Sequence, residues 1–100
     1  MKNIYEIQWT EHALSELNEV FDYLKANWTK KEISKLSIKI EKTIELISKN
    51  PDLFPEINKK KKIRRAVITK HNTLYYQKKD NTLEVVSFFS NRKNPDKLNL

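Results

Sequence analysis

The chain has 100 residues, no cysteine, no glycine and a net charge of +7. That length supports one compact domain, the missing cysteine excludes disulfides, thiolate metal sites and a cysteine nucleophile, and the missing glycine excludes the glycine-rich loops that bind ATP or NAD. The charge is uneven: residues 1–50 hold eight basic and eight acidic side chains and residues 51–100 twelve and five, a distribution suited to meeting an acidic partner.

Ile4 to Trp9 is β-prone, and Tyr5, Ile7 and Trp9 fall on one face of an extended strand. Thr10 supplies an N-cap oxygen for a helix whose Ala13, Leu14, Leu17, Val20, Phe21 and Leu24 form one apolar stripe. Asn27-Trp28-Thr29 interrupts the pattern, and Thr29 caps a second helix marked by Ile33, Leu36, Ile40, Ile44 and Ile47, which ends before Asn50-Pro51. The two form a hairpin, with Glu45 and Lys49 four residues apart on its outer face.

Residues 51–58 contain two prolines and no periodicity, so they read as a loop whose Leu53 and Phe54 fold back on the core. Lysines 59–62 follow. Three strands then succeed one another, Ile63–Thr69, Leu74–Lys79 and Leu83–Phe89. Without glycine, their turns must place asparagine or aspartate at positive φ, at His71-Asn72-Thr73 and Asp80-Asn81. The order predicts an α+β domain, β-α-α-β-β-β, in which an antiparallel sheet packs one face on the helical hairpin and leaves the other free. Residues 1–95 form the domain and 96–100 a short tail. No apolar run approaches the ~18 residues of a membrane span, and a soluble cytoplasmic protein without membrane contact is expected.

The acidic residues are spaced for solvation on the helices, and His12 and His71 are too few and wrongly spaced for a metal site. No cofactor or metal is expected. What remains is the basic sheet: Arg64, Arg65, Lys70, His71, Tyr75, Tyr76, Lys78, Arg92 and Lys93. Cations among aromatics suit phosphate contact with base stacking and equally suit a protein interface. The seventeen lysines accompany ten asparagines and ten isoleucines, the composition of an AT-rich genome, so the three arginines carry more weight. Their planar forks bind carboxylate or phosphate in a way lysine does not. Strand alternation sends Arg64 and Arg65 to opposite faces, and puts one of Tyr75 and Tyr76 in the core and the other outside.

The ordered set resembles the RelE/ParE family, the toxins of bacterial type II toxin–antitoxin modules. The resemblance runs through Trp9 and Thr10-Glu11-His12-Ala13, Phe21-Asp22-Tyr23-Leu24, Asn50-Pro51, Ile63-Arg64-Arg65, Lys70-His71, Tyr75-Tyr76 and Phe88-Phe89-Ser90-Asn91-Arg92-Lys93-Asn94-Pro95. It implies a small basic toxin of the kind tied to plasmid stabilisation and growth inhibition, held inactive by a cognate antitoxin protein. RelE-like members cleave mRNA on the ribosome, which needs a base, an acid and cations. Where one nuclease branch has an arginine after Lys70-His71, this chain has Asn72, and the last strand ends in Ser90-Asn91-Arg92 in place of histidine or tyrosine.

The resemblance is therefore closer to the ParE-like branch, which acts on DNA gyrase without cutting nucleic acid. The implied target-binding set is Arg64, Arg65, Lys70, His71, Tyr76, Arg92 and Lys93. Two alternatives stay open: a RelE-like endoribonuclease recruiting His71, Tyr75 or Tyr76, and a degenerate module member without toxicity.

Overall fold

A computed structural model describes residues 5–91. It contains β1 (Glu6–Trp9), α1 (Glu11–Asn27), α2 (Lys30–Lys49), β2 (Glu56–Asn58), β3 (Ile63–Thr69), β4 (Asn72–Lys79) and β5 (Thr82–Ser90). Both helices begin where the sequence places caps: Thr10 accepts a hydrogen bond from the Ala13 N–H at 3.0 Å, and Thr29 accepts from the Glu32 N–H at 3.3 Å. Each cap satisfies a first-turn donor that the helix itself leaves unpaired. The Lys49–Glu45 pair forms at 3.8 Å on the exposed face. No helix among the described residues is long and apolar enough to cross a membrane.

The strands form one five-stranded sheet in the order β1-β5-β4-β3-β2. Neighbours are antiparallel except β1 and β5, which run parallel with Ile7 opposite Leu83 and Trp9 opposite Val85. The expected α+β architecture is present, with the sheet mixed where an antiparallel one was expected. The chain leaves β1 through the helical hairpin, reaches the far edge and meanders back, so its last strand arrives beside the first in the same direction. The extra strand, β2, lies in the segment read as a loop. It has three residues and follows Pro55, too short for an alternation to show. Within that segment Phe54 packs on the core, whereas Leu53 stays exposed.

Ala13, Val20 and Leu24 of α1 and Leu36, Ile40 and Ile47 of α2 are buried against Ala66, Ile68, Leu74, Tyr76, Leu83, Val85 and Phe88 of the sheet. Trp9 joins this layer, its ring 6.4 Å from that of Phe88. Beyond Trp9, β1 stops while β5 continues, and α1 takes over the vacated edge. Thr10 donates its N–H to the Val85 carbonyl at 3.0 Å, and Glu16 accepts from the Phe88 N–H at 3.0 Å and the Ser87 hydroxyl at 2.7 Å.

The turns manage without glycine in two ways. Asp80 takes a positive φ of 49° as expected, and Lys62, closing the four-lysine loop between β2 and β3, takes 56°. The β3–β4 turn needs no positive φ. There the Thr69 hydroxyl accepts from the backbone N–H of His71 at 3.1 Å and of Asn72 at 3.2 Å and from the Asn72 amide at 3.0 Å, beside a register shift between Val67 and Thr69.

Candidate functional site

The two adjacent arginines of β3 do different work. Arg64 reaches across the core-side edge, donating to the Phe54 carbonyl at 2.7 Å and pairing with the Asp52 carboxylate at 3.2 Å. Its guanidinium thus pins the segment after α2 onto the sheet. Arg65 is exposed, and among the described residues it holds no carboxylate. Beside it Val67 is the most exposed large apolar residue among those described, at 59%. Together they give the free face of β3 a cation next to an apolar contact. Arg92 and Lys93 lie outside the described residues.

Tyr75 and Tyr76 were expected to divide between core and surface, but both are buried. Tyr76 pairs with Val85 and Tyr75 with Ser87, so the sheet shifts register there and β5 carries Val86 as an extra residue. Tyr76 is fully buried and donates its hydroxyl to the buried Pro51 carbonyl at 2.8 Å. Burial pushes its phenol up to about 12, against the opposing pull of Arg64. A group so placed neither meets a target nor exchanges protons near neutral pH, which removes Tyr76 from the expected contact surface. Tyr75, flanked across the sheet by Arg65 and Ser87, is also raised by burial, with Arg65 working the other way.

His71 is half-buried at the β3–β4 turn and is held by Asn91. The Asn91 amide nitrogen donates to the Lys70 carbonyl at 3.1 Å, which turns Oδ1 toward His71 Nδ1 at 3.3 Å. An amide oxygen only accepts, so Nδ1 carries the hydrogen and Nε2 is the free nitrogen. Nitrogen NMR of the imidazole is expected to show a hydrogen on Nδ1. Asn91→Ala should return it to the Nε2–H form that unconstrained histidines favour, and an unchanged tautomer would exclude this lock.

Lys70, His71 and Asn72 also border a cleft of about 560 Å³ between the turn and the helical hairpin, lined further by Leu24, Trp28, Glu32, Lys35, Leu36 and Lys39. Asn72 is 3% exposed, and its Oδ1 has no hydrogen-bond partner among the described residues. No group of three metal-ligating side chains occurs among the described residues.

Sequence reasoning found the turn residues and missed the helix residues that complete the cleft. A signal was available: Lys35 and Lys39 lie four apart, a like-charge spacing that weakens a helix and is usually avoided by alternation with glutamate. Glu16 and Asn91 had no signal, because their roles depend on which strand each meets.

A scan of family models matches residues 7–95 to the ParE toxin of the type II toxin–antitoxin system parDE. A search of the curated proteins gives no significant match. Among solved structures, the chain resembles a chromosomal ParDE system from P. aeruginosa, at 11% identity and TM-score 0.64, covering 88% of this chain and 97% of the other. It resembles the YoeB dimer of Staphylococcus aureus at 20% identity and TM-score 0.61, with 85% and 94% covered. A YoeB/ParE toxin from Agrobacterium tumefaciens follows at 14% identity and TM-score 0.60, with 85% and 96% covered. At these identities the structures establish a shared fold, that of the RelE/ParE-type toxins. The chain belongs to the ParE toxin family of type II toxin–antitoxin systems.

Proposed function

We propose that this toxin acts in the cytoplasm by binding its target, a DNA gyrase-type protein, without cutting nucleic acid, and that a cognate antitoxin holds it inactive. The observation that carries the reading is the state of the proton-transfer groups. Tyr76 is buried, hydrogen-bonded to Pro51 and raised to about 12, and Tyr75 is raised as well. Among the described residues the His71 ring hydrogen-bonds to the Asn91 amide and to no second acid or base, and phosphodiester cleavage by a 2′-hydroxyl calls for two. Contact with the target falls to Arg65 and Val67 on the free sheet face, with Lys70 at the turn and the segment bearing Arg92 and Lys93.

Induced alone in a bacterial host, the chain is expected to arrest growth and inhibit DNA supercoiling while transcripts stay intact. Arg65→Glu should relieve the arrest by more than tenfold in surviving colonies, since reversing a contact charge at an interface costs several kcal/mol. Circular dichroism should show the variant folded. Full toxicity of the folded variant would remove Arg65 from the contact surface.

One observation favours a second reading, ribosome-dependent mRNA cleavage: His71, its Nδ1 held by Asn91, borders a cleft with Lys35, Lys39 and Lys70. Discrete codon-positioned cuts after induction, abolished by His71→Ala, would establish it in place of gyrase binding. Absence of any arrest would mark the chain as a non-toxic member.

A further inference from the structure

The loop between β2 and β3 consists of four consecutive lysines, Lys59 to Lys62, all exposed. Its course is fixed at two points: Asn58 Oδ1 accepts from the Lys61 N–H at 3.0 Å, and Lys62 turns the chain at φ 56°, a conformation uncommon for a residue with a Cβ. Ile63 stands opposite Gln77, so the next lysines are those ending β4, and both are engaged. Lys78 lies over the Tyr5 ring at 5.9 Å, and Lys79 pairs with Glu84 at 3.1 Å. Among the described residues no carboxylate pairs with Lys59, Lys60 or Lys62. The fold thus holds three uncompensated cations close together, and they repel one another until an anion arrives.

We infer that this loop contacts the sugar-phosphate backbone of the duplex DNA on which a gyrase-type target works; this rests on the reading proposed above and adds a second contact to it. The tip offers no arginine, aromatic or methionine, the side chains that anchor protein interfaces, whereas lysine is depleted there. Lysine ammoniums are point charges, suited to holding phosphates without reading sequence. Duplex DNA carries one negative charge per about 1.7 Å of its axis, so one small loop meets several phosphates at once. Position agrees with the composition. Arg65 follows Lys62 by three residues and shares the exposed face with Val67, so a protein gripped there lies beside the loop. The turn bearing Lys70 and His71 is at the other end of β3, about 20 Å away, which makes the loop a separate feature from the cleft.

The test measures binding of the whole chain to a short fluorescent DNA duplex by anisotropy across about 50 to 200 mM salt, where each phosphate contact adds about 0.9 to the slope of log affinity against log salt. Duplexes of different sequence should bind alike. Lys59→Ala with Lys60→Ala and Lys62→Asn, asparagine being tolerant of positive φ, should lower that slope by about 2–3 and the affinity by about tenfold or more. Lys30→Ala with Lys31→Ala and Lys42→Ala removes the same charge from exposed positions of α2 and should change the slope by less than about one contact. Should the loop variant fail to fold, Lys59→Gln with Lys60→Gln leaves the Lys62 turn untouched and should lower the slope by about 2. Absence of binding at the lowest salt, equal losses in the charge-matched variant, or tighter binding to duplex RNA or to polyglutamate would each overturn the proposal.

A second arm separates this inference from the gyrase reading. With purified gyrase, the unaltered chain should bind about tenfold more tightly when the duplex is present, and the loop variant should bind equally with and without it. Equal gains in both would take the loop off the DNA. If neither chain binds gyrase, the gyrase reading fails, while the salt titration continues to report on the loop itself.

Discussion

Replacing Tyr76 with alanine is expected to lower folding stability by about 3–5 kcal/mol, the usual cost of emptying an aromatic site in a packed core. Tyr76→Phe keeps the ring and removes the hydroxyl that donates to Pro51 at 2.8 Å, leaving a buried carbonyl without a donor. That variant should lose about 1–3 kcal/mol. Urea unfolding followed by far-ultraviolet circular dichroism measures both. A phenylalanine variant as stable as the parent would show that the hydroxyl is not what ties Pro51 to the sheet. The same residue predicts an alkaline limit. Its folded pKa of about 12 lies above the ordinary tyrosine value of 10.0, so the folded state holds this proton more tightly. Its contribution is complete below pH 10 and is lost as pH rises toward 12. In Tyr76→Phe that part of the alkaline decline should vanish.

Glu16→Ala is the second large effect, expected at about 2–3 kcal/mol because one carboxylate oxygen serves two donors of β5 that have no strand beside them. β1 ends opposite Val85, and from there the outer edge of β5 belongs to α1. Removing the carboxylate leaves the Phe88 N–H and the Ser87 hydroxyl unsatisfied in a nearly dry setting, Ser87 being 1% exposed. Glu16→Gln retains an accepting oxygen and should lose less than half as much. His12, 3.2 Å from the same oxygen, is 70% exposed and should matter little, so His12→Ala serves as the control. Equal losses in all three variants would contradict this edge-capping role.

Local chemistry made much of the fold legible. Thr10 and Thr29 mark helix starts because an N-cap needs only its own side chain and the next turn, and the stripes from Ala13 and from Ile33 predict which helix faces are buried. What stayed hidden depends on residues far apart in sequence. The parallel pairing of β1 with β5 is decided by where the chain arrives after about seventy intervening residues. The bulge opposite Tyr75 and Tyr76 resides in the partner strand, at Val86, and the burial of both rings depends on what covers each face, so no pattern within β4 announces either. The site shows the same division. Alternation correctly sends Arg64 and Arg65 apart, but only the Phe54 carbonyl and the Asp52 carboxylate reveal that Arg64 is the internal clamp. Lys35 and Lys39 reach the cleft through helix packing, which a reading centred on the basic strands passes over.

The division of labour between those neighbouring arginines affects any screen for survivors. If the proposed contact role of Arg65 holds, substitutions at either codon would rescue a poisoned host: at position 64 by depleting the properly assembled molecule, at position 65 by blunting its grip on the victim. A colony count scores the two alike. The quantity of intact protein per cell tells them apart, and only survivors with undiminished amounts map the harmful surface.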